Sequence, residues 1–372
     1  MSLIEERVLL VIGNGFDLAC GLKTHYRDYF DFLRGRYEQF NNFCTFLLDT
    51  VFNSLDDEGI EVYSNEMISM KQLNLWDFYF TLLDWKDSKL LSDQTWNEIE
   101  LKIKNSVLSD KKKTKGGYGT WHSVFKYVQN MQYKLNFPVH NDNLTRLLAF
   151  YLSKRGINTI SFEEFNNFVL HELYKFEENF AEYVRLQESI VSNYKEKAKE
   201  LVHKMTSLSK FDICSFNYTQ PFDDSNCINC HGVAKDKNVI FGIEKTNIGK
   251  EFDIKDYYKY TKEAQGLYVI SKGTKINKKI RSTYTRIYFY GLSFSKQDYD
   301  YFFQLFDIYK LASTKTKFIF YYSIYDKDKA DEIREEFVDS VTALINDYGE
   351  KIHCNNLLFI MTSNETIDIE PL

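Results

Sequence analysis

The chain has 372 residues, of which 44% are hydrophobic, so it can bury a sizeable core in two or three domain-sized units. Its formal net charge is −6 with both signs interleaved, which excludes the overall basic field of proteins that bind nucleic acid nonspecifically. The N-terminus shows no signal peptide and no apolar run of membrane-spanning length, and the six cysteines suit reduced thiols. We therefore expect a cytoplasmic protein with neither a membrane nor nucleic acid as partner.

The first predicted element is a buried parallel strand followed by a glycine-rich turn and a helix. Residues 8–12 form a continuous apolar run that ends at Gly13-Asn14-Gly15. Glycines at this place let a ligand approach the backbone, and peptide N–H groups at a helix N-terminus can hold a diphosphate. The next glycine, Gly21, does not follow the usual dinucleotide-binding spacing, so a tight turn without a ligand is the alternative.

The middle of the chain, residues 40–207, is predicted to be mostly helical. Ser161 and Glu164 have the spacing of a capping box, and an apolar stripe continues to about residue 205, as one very long helix or two with a break. The lysine-rich segment 111–117 is predicted to be a solvated loop, with an anion-binding loop as the alternative.

Beyond residue 208 the pattern indicates strands that alternate with helices. The predicted strands are 211–216, 239–241, 286–290, 317–322 and 357–361, and the predicted helices are 296–312 and 327–346. This alternation favours an α/β fold with a Rossmann-like, doubly wound parallel sheet and a large helical insertion. We expect residues 1–39 and 208–372 to form the nucleotide-binding domain and 40–207 the insertion.

Two polar residues are candidates for chemistry in this last part. Asn217 follows a predicted strand, where its amide could orient a ribose hydroxyl or an attacking water, although turn formation alone also explains it. His231 ends a Cys-x-x-Cys-His sequence that formally matches haem attachment, which we exclude for a cytoplasmic chain. A zinc ion would have too few ligands here, so we expect no metal. His231 is then either a turn residue whose hydrogen bonds are made within the protein or a general base.

A further strand–turn–helix segment covers residues 290–298. Gly291 would allow a close approach of the backbone to a ligand. Asp298 stands at the predicted helix start, where it could contact the ligand or simply compensate the helix dipole.

Taken in order, these motifs resemble those of the AbiH family of phage abortive-infection proteins. The resemblance lies in residues 13–24 with Tyr26 and Asp28, Trp96 with Glu100, Phe176-Glu177 with Phe180 and Tyr183, residues 216–219, His231-Gly232, and Tyr290-Gly291-x-Ser293 with Asp298. That family in turn resembles sirtuin-like domains, which bind NAD.

The sirtuin-like resemblance implies a set of NAD-binding residues and two catalytic roles. Asn217 resembles the residue that orients water or ribose, and His231 resembles the histidine that activates a ribose hydroxyl. The implied ligand contacts are Gly13, Asn14, Gly15, Phe16, Gly21, Tyr218, Thr219, Gly242, Gly291, Ser293 and Asp298.

Three positions depart from the sirtuin-like pattern. Asp17 stands where sirtuins carry a serine, Lys23 where they carry a proline, and Thr219 where they carry an aspartate. The chain also has no four-cysteine zinc module, so protein deacylation is not expected, whereas NAD hydrolysis needs fewer substrate contacts.

The leading functional hypothesis is a phage-defence protein that binds NAD or a related nucleotide and hydrolyses it to nicotinamide and ADP-ribose. In this hypothesis His231 is the base, Asn217 positions the water, and Asp17 stabilises positive charge on the ribose. The alternatives are a nucleotide sensor without catalysis that drives assembly, and an RNA-targeting toxin suggested by interleaved Tyr and Lys in residues 257–262. The expected partners are the nucleotide, further copies of the chain and a phage-derived trigger.

Overall fold

The computed structural model describes residues 7–49, 55–86, 97–107, 120–133, 143–157, 161–207, 210–222, 227–242 and 283–372. The strands are β1 (Val8–Ile12), β2 (Phe211–Ser215), β3 (Cys227–Asn229), β4 (Arg286–Tyr290), β5 (Lys317–Tyr322) and β6 (Ile367–Pro371). The helices are α1 (Asn14–Ala19), α2 (Tyr26–Arg36), α3 (Glu38–Asp49), α4 (Asp57–Ser69), α5 (Leu75–Lys86), α6 (Asn97–Val107), α7 (Thr120–Tyr133), α8 (Asn143–Lys154), α9 (Phe162–Ile190), α10 (Tyr194–Thr206), α11 (Tyr299–Tyr309), α12 (Ala330–Lys351) and α13 (Leu357–Ser363). The segments 111–117 and 257–262 and Trp96 lie outside the described residues.

The six strands form one parallel sheet in the order β3-β2-β1-β4-β5-β6. The strand order runs outward from β1 on both sides, so its direction reverses between β1 and β4. This is the doubly wound, Rossmann-like arrangement, and the sequence prediction of that fold class is confirmed. In such sheets ligands bind outside the carboxyl ends of the strands.

Helices or loops cover both faces of β1, which explains its continuous apolar sequence. Leu9 and Val11 pack into the core cluster on one face of the sheet. Val8, Leu10 and Ile12 pack into the cluster on the other face, and all five side chains are buried. Side chains alternate between the faces of a strand, so five successive apolar residues fit both layers.

Contacts divide the chain into two compact units. The first comprises residues 1–24, 181–240 and 266–372 and holds the sheet; the second comprises 25–180 and 241–265 and is largely helical. The sequence predicts domain boundaries at residues 39/40 and 207/208, and these boundaries between two domains stay a prediction.

The helical middle follows the sequence prediction closely. The capping box of α9 is present: Glu164 N–H donates to the Ser161 hydroxyl, and Ser161 N–H donates to the Glu164 carboxylate over 2.8 Å. The apolar stripe continues in two helices, because the helical conformation is interrupted at residues 191–193 between α9 and α10. Inside the second unit, the buried Asp77 accepts a hydrogen bond from the Tyr29 hydroxyl over 3.0 Å.

Two predicted strands are wrong, and two real ones were missed. Residues 239–241 are buried but form no ladder, and residues 357–361 lie in helix α13. A run of five apolar residues does not by itself distinguish a strand from a helix. In α13 the buried residues are Leu357 and Met361, whose spacing of four residues is that of one helix face. Strands β3 and β6 were missed because they are sheet edges whose half-buried sequences mix polar and apolar residues.

Within the described residues, no helix combines the length and apolarity that crossing a membrane requires.

Candidate functional site

The loops that follow β1 and β4 touch each other through their backbones. Gly13 N–H donates to the Tyr290 carbonyl over 3.0 Å, and Gly15 N–H donates to the Gly291 carbonyl over 2.9 Å. A Cβ atom added to Gly13 would lie 2.5 Å from the Gly291 oxygen, and one added to Gly15 would lie 2.6 Å from the Gly291 Cα. Glycine is therefore required here because the two loops pack together.

This packing uses three of the peptide N–H groups that were expected to cradle a diphosphate. The N–H groups of Gly13 and Gly15 bond to protein carbonyls, as does that of Phe16, which donates to the Gly13 carbonyl over 2.9 Å. A ligand at this edge of the sheet would depend on other donors, so the side chains around the turn become the important feature.

Asp17 lies in the first turn of α1, just past the carboxyl end of β1, and is 1% exposed. Its carboxylate accepts a hydrogen bond from the Tyr194 hydroxyl over 2.7 Å. It also accepts from the Thr219 hydroxyl, which lies 3.0 Å from Oδ1 and 2.9 Å from Oδ2. Three separate segments, α1, the start of α10 and the loop after β2, thus meet at one buried carboxyl.

Burial raises the pKa of Asp17 to about 7, because a carboxylate loses its hydration there. Hydrogen bonds from Tyr194 and Thr219 oppose this shift, the negative charge of Glu188 adds to it, and the amide of Asn217 lowers the pKa slightly. At neutral pH both forms of the carboxyl are populated, which suits a group that accepts or donates a proton.

Asn217, in the loop after β2, is held rigidly but has an unsatisfied side chain. Its N–H donates to the Ser215 hydroxyl over 3.1 Å, and its carbonyl accepts from the Asn229 amide over 3.1 Å. The side chain is 3% exposed, and neither Nδ2 nor Oδ1 makes a hydrogen bond of good geometry, although the amide is close enough to Asp17 to influence its pKa. Both amide atoms are thus available to a ligand or a water.

His231 lies in a second polar group, with Asp298. Its Nε2 is 3.4 Å from the Asp298 carboxylate, and both side chains are about nine-tenths buried. The rings of Phe216 and Tyr301 lie 5.6 and 5.7 Å from the imidazole, and that of Tyr218 lies 6.1 Å away. A neighbouring carboxylate can orient the imidazole and select which ring nitrogen carries the proton.

The loop after β2 contributes to both groups. Thr219 and Asn217 lie with Asp17, whereas the rings of Phe216 and Tyr218 contact His231. The structure therefore brings Asp17 and Asn217 together and places His231 with Asp298. The two groups belong to different faces of the sheet, because Tyr194 packs in one core cluster and Phe216 in the other.

The remaining predicted ligand contacts are spread around these groups. Asn14 accepts a hydrogen bond from the Thr24 hydroxyl over 2.6 Å, and the buried Phe16 ring lies near the Tyr290 ring. Ser293 is exposed on the loop after β4.

Two of the predicted glycines stand apart. Gly21 has a φ of +91°, so its backbone conformation by itself favours glycine. Gly242 is buried and belongs to the second compact unit.

The cysteine motif forms a thiol contact. The Sγ atoms of Cys214 and Cys230 are 3.5 Å apart, and Cys227 Sγ lies against the Asn229 side chain instead. Within the described residues, no three His, Cys, Asp or Glu side chains come together as metal ligands.

The sequence reasoning missed Tyr194 and Glu188. Tyr194 is one of 27 tyrosines, and its only local signal is its place at the first residue of a helix after a break. Glu188 lies near the end of α9 and accepts a hydrogen bond from Gln220 N–H over 3.4 Å. Neither position has a motif that would single it out without the fold.

A comparison with known protein families matches residues 9–322 to the family described as bacteriophage abortive infection AbiH. The matched segment includes every residue of the two polar groups. No curated protein and no solved structure matches the chain.

Proposed function

The chain belongs to the AbiH family of bacteriophage abortive infection, since the match covers well over half of its length, and within that role we propose that it binds NAD or a related nucleotide and hydrolyses it. The ligand would lie at the carboxyl edge of the sheet, where doubly wound folds bind nucleotides. The products would be nicotinamide and ADP-ribose.

One observation carries this proposal: the side chain of Asn217 is buried with both amide atoms unsatisfied, beside the buried carboxyl of Asp17. A buried polar group without a hydrogen bond costs about 1–3 kcal/mol, so most folds avoid it. The cost is offset if a ligand or a bound water completes the hydrogen bonds. An amide is suited to that task because it offers a donor and an acceptor together.

The hydrogen bond between Asp17 and Thr219 supports the sirtuin-like interpretation further. Both positions depart from the sirtuin-like pattern. Asp17 has a carboxyl where sirtuins have the hydroxyl of a serine, and Thr219 has a hydroxyl where they have the carboxyl of an aspartate. Their side chains contact each other, so a carboxyl–hydroxyl pair is kept with the two partners exchanged.

In the proposed reaction a water attacks the ribose carbon that bears nicotinamide, through a transition state with positive charge on the sugar. Asn217 positions the water, and an ionised Asp17 stabilises the positive charge. His231 accepts a proton, either from the water or from a ribose hydroxyl, and its pairing with Asp298 supports such a role. We propose that the other contacts come from Asn14, Phe16, Tyr218, Thr219 and Ser293, and from the backbones of Gly13, Gly15, Gly21 and Gly291. The N–H groups of Gly13, Gly15 and Phe16 take no part, because they bond to protein carbonyls.

The test is isothermal titration of the purified protein with NAD and with ADP-ribose, with product analysis of the same samples. Binding with release of nicotinamide supports the proposal, and we then expect Asn217→Ala and His231→Ala to lower kcat at least about 100-fold. His203→Ala, an exposed histidine of α10, is the matched control and should change nothing. Binding without turnover would indicate a nucleotide sensor, and the absence of binding would contradict the proposal.

A further inference from the structure

Three oxygen atoms form a closed triangle in the core of the first unit. The Tyr194 hydroxyl is 2.7 Å from Asp17 Oδ1 and 2.9 Å from Thr219 Oγ1, and Thr219 Oγ1 is 3.0 Å from the same Oδ1. All three residues are at most 3% exposed. We call Asp17, Thr219 and Tyr194 the hydroxyl–carboxyl triangle.

The triangle satisfies its own hydrogen bonds in two protonation states. When Asp17 is ionised, both hydroxyls donate to the carboxylate. When Asp17 is protonated, the hydroxyls can rotate so that Asp17 donates to one of them, that hydroxyl donates to the other, and the second donates back to the carboxyl. Because neither state leaves an oxygen of the triangle unpaired, the usual cost of an unmade buried hydrogen bond does not oppose the proton transfer.

The groups that face the triangle do not fix its charge. In the described part of the chain, no Lys or Arg side chain forms an ion pair with Asp17. Its neighbours include the Glu188 carboxyl on α9, the Cys20 thiol at the end of α1 and the neutral Asn217 amide. The ammonium of Lys197 on α10 lies near Cys20, where it favours the thiolate. Glu188 opposes the charged form of Asp17, whereas the two hydroxyls favour it.

We propose that the hydroxyl–carboxyl triangle, rather than His231, takes the proton of the attacking water, with Asp17 as the acceptor and Tyr194 as its positioning residue. This rests on the function proposed above. The water oxygen bonds to the ribose carbon, the carbon–nitrogen bond breaks with its electron pair passing to the nicotinamide nitrogen, and nicotinamide leaves as a neutral molecule. The proton lost by the water passes to Asp17 and from there to solvent, which leaves His231 with the ribose hydroxyl.

The geometry supports this assignment because Asn217, the residue proposed to hold the water, lies two residues before Thr219, whose hydroxyl donates to Asp17 over 2.9 Å. The Asn217 amide is also near enough to Asp17 to lower its pKa. His231 makes its contacts with Asp298, Phe216 and Tyr301 instead. A water that is bound to the Asn217 amide therefore has the Asp17 carboxyl as a neighbouring acceptor.

The first experiment titrates Asp17 without any ligand, by the infrared carboxyl band of the protein with 13C-labelled aspartate and Asp17→Asn as the reference that removes the band. We expect a midpoint near pH 7 in the wild type. Tyr194→Phe removes a donor to the carboxylate and should raise the midpoint by about one pH unit, as should Thr219→Val, whereas Thr219→Ser should keep it. Tyr183→Phe is the matched control, because its hydroxyl donates to the Lys23 carbonyl.

The second experiment compares this midpoint with the pH dependence of kcat/KM for nicotinamide release. If Asp17 is the acceptor, the acidic limb of the wild type coincides with the infrared midpoint, and Tyr194→Phe moves both by the same amount. An acidic limb that stays in place while the infrared midpoint moves would overturn the proposal and return the role to His231. A wild-type midpoint near pH 4 would also overturn it, whether or not NAD is turned over. A midpoint near 7 without any binding of NAD would support the titration of Asp17 but overturn the proposed function, and with it the role of Asp17 in hydrolysis.

Discussion

The hydrogen bond from Thr219 to Asp17 joins side chains that are 202 residues apart in the sequence. Neither residue alone indicates a site, since an acidic residue in the first turn of a helix usually compensates the helix dipole. The interaction becomes informative because the pair is fully buried and has Tyr194 as its third member. Burial of this kind is what shifts the proton affinity of a carboxyl towards neutral pH.

Exchanging the two side chains tests whether the carboxyl–hydroxyl pair is the functional unit. Asp17→Ser removes the carboxyl and Thr219→Asp places two carboxyls in contact, so we expect each single variant to lose stability and ligand binding. The double variant restores one carboxyl and one hydroxyl, so it should recover about 1–3 kcal/mol of stability over the sum of the single effects. Chemical denaturation and titration with NAD measure the two properties.

The control for this cycle pairs Asp17→Ser with Ser340→Ala, a residue of α12 whose hydroxyl donates to the Glu336 carbonyl of its own helix. These two effects should add. If the effects of the exchanged pair also add, Asp17 and Thr219 do not act as a unit and their departure from the sirtuin-like pattern is not a compensated exchange.

At the residue scale, the sequence predicted which polar residues follow the ends of the strands. Asp17 and Asn217 were chosen because polar residues after buried strands lie at the ligand edge of a parallel sheet, and His231 was chosen from its Cys-x-x-Cys-His motif. Tyr194 could not be found, since its role comes from the place at which α10 begins. The separation of His231 from Asp17 and Asn217 into two groups likewise depends on packing on two faces of the sheet.

At the scale of elements, the turn after β1 and the turn after β4 form one backbone-to-backbone contact. Gly291 adopts a φ of +70°, and a Cβ atom there would overlap the Phe16 nitrogen and the Gly15 backbone. The contact fixes where α1 begins and therefore where Asp17 lies. Glycine in these turns thus serves the site indirectly, by setting the position of the helix that contains Asp17.

Gly291→Ala should lower the free energy of unfolding by about 3 kcal/mol, because it combines a strained φ with a clash that two backbones share. Gly35→Ala is the matched control: Gly35 lies in α2, and nothing lies within 4 Å of its added Cβ. The control should stabilise the protein by up to about 1 kcal/mol, because alanine favours the helix. Urea denaturation of both variants distinguishes the cases, and equal effects would contradict this account of the turn.

The helix α9 offers a second test at this scale. Ser161→Ala removes the hydroxyl that caps the helix and should cost about 1 kcal/mol. Ser189→Ala, near the other end of the same helix, removes a hydroxyl that only donates back to the Leu186 carbonyl and should be close to neutral. Thermal unfolding measures both, and a neutral Ser161→Ala would mean that this end of α9 does not need its cap.

The elements that could be predicted from the sequence are those with a single strong pattern. β1 is apolar over its whole length, and β4 and β5 are aromatic and aliphatic after a first Arg286 or Lys317, because both faces of a central parallel strand are covered. β3 has three half-buried residues and β6 lies at the other edge, so their sequences resemble ordinary loops. The continuous apolar pattern that identifies a central strand is therefore lost at the edges of the sheet, and edge strands are harder to predict from the sequence.

At the scale of the whole molecule, both compact units contain buried carboxyls whose pKa is raised by burial. Asp17 in the first unit and Asp77 in the second are both raised to about 7, and the pKa of Glu177 in the second unit is well above its ordinary value. In the unfolded chain these groups titrate near pH 4. The folded protein therefore holds protons between about pH 4 and 7 that the unfolded chain has released.

The free energy of unfolding should accordingly fall as the pH rises from about 5 to 7.5, which opposes the usual behaviour of paired carboxylates. The contribution of each carboxyl is fully present below the pKa of the unfolded chain and is lost as the pH passes the raised folded value. For Asp17 the lost contribution to the free energy of unfolding is about 4 kcal/mol, because its pKa rises from 3.8 to about 7 on folding and each unit of pKa difference corresponds to about 1.4 kcal/mol. Urea denaturation at several pH values measures the slope.

Asp17→Asn and Asp77→Asn each remove one such group and should make the slope smaller, whatever their effect on stability at a single pH. Asp339→Asn, on α12, should leave it unchanged, because that carboxyl is exposed in the folded protein as in the unfolded chain. A slope that is the same in all three variants would show that the buried carboxyls are ionised in the folded protein.

The central place of β1 in the sheet also bears on how the protein is made. Its two neighbouring strands begin at Phe211 and Arg286, so roughly 200 residues must leave the ribosome before the first of them exists. At about 5–20 residues per second, the five apolar residues of β1 wait about 10–40 seconds without a partner strand. During translation this segment is therefore a natural client for a chaperone, and a nascent chain that stalls before residue 286 cannot complete both sides of its central strand.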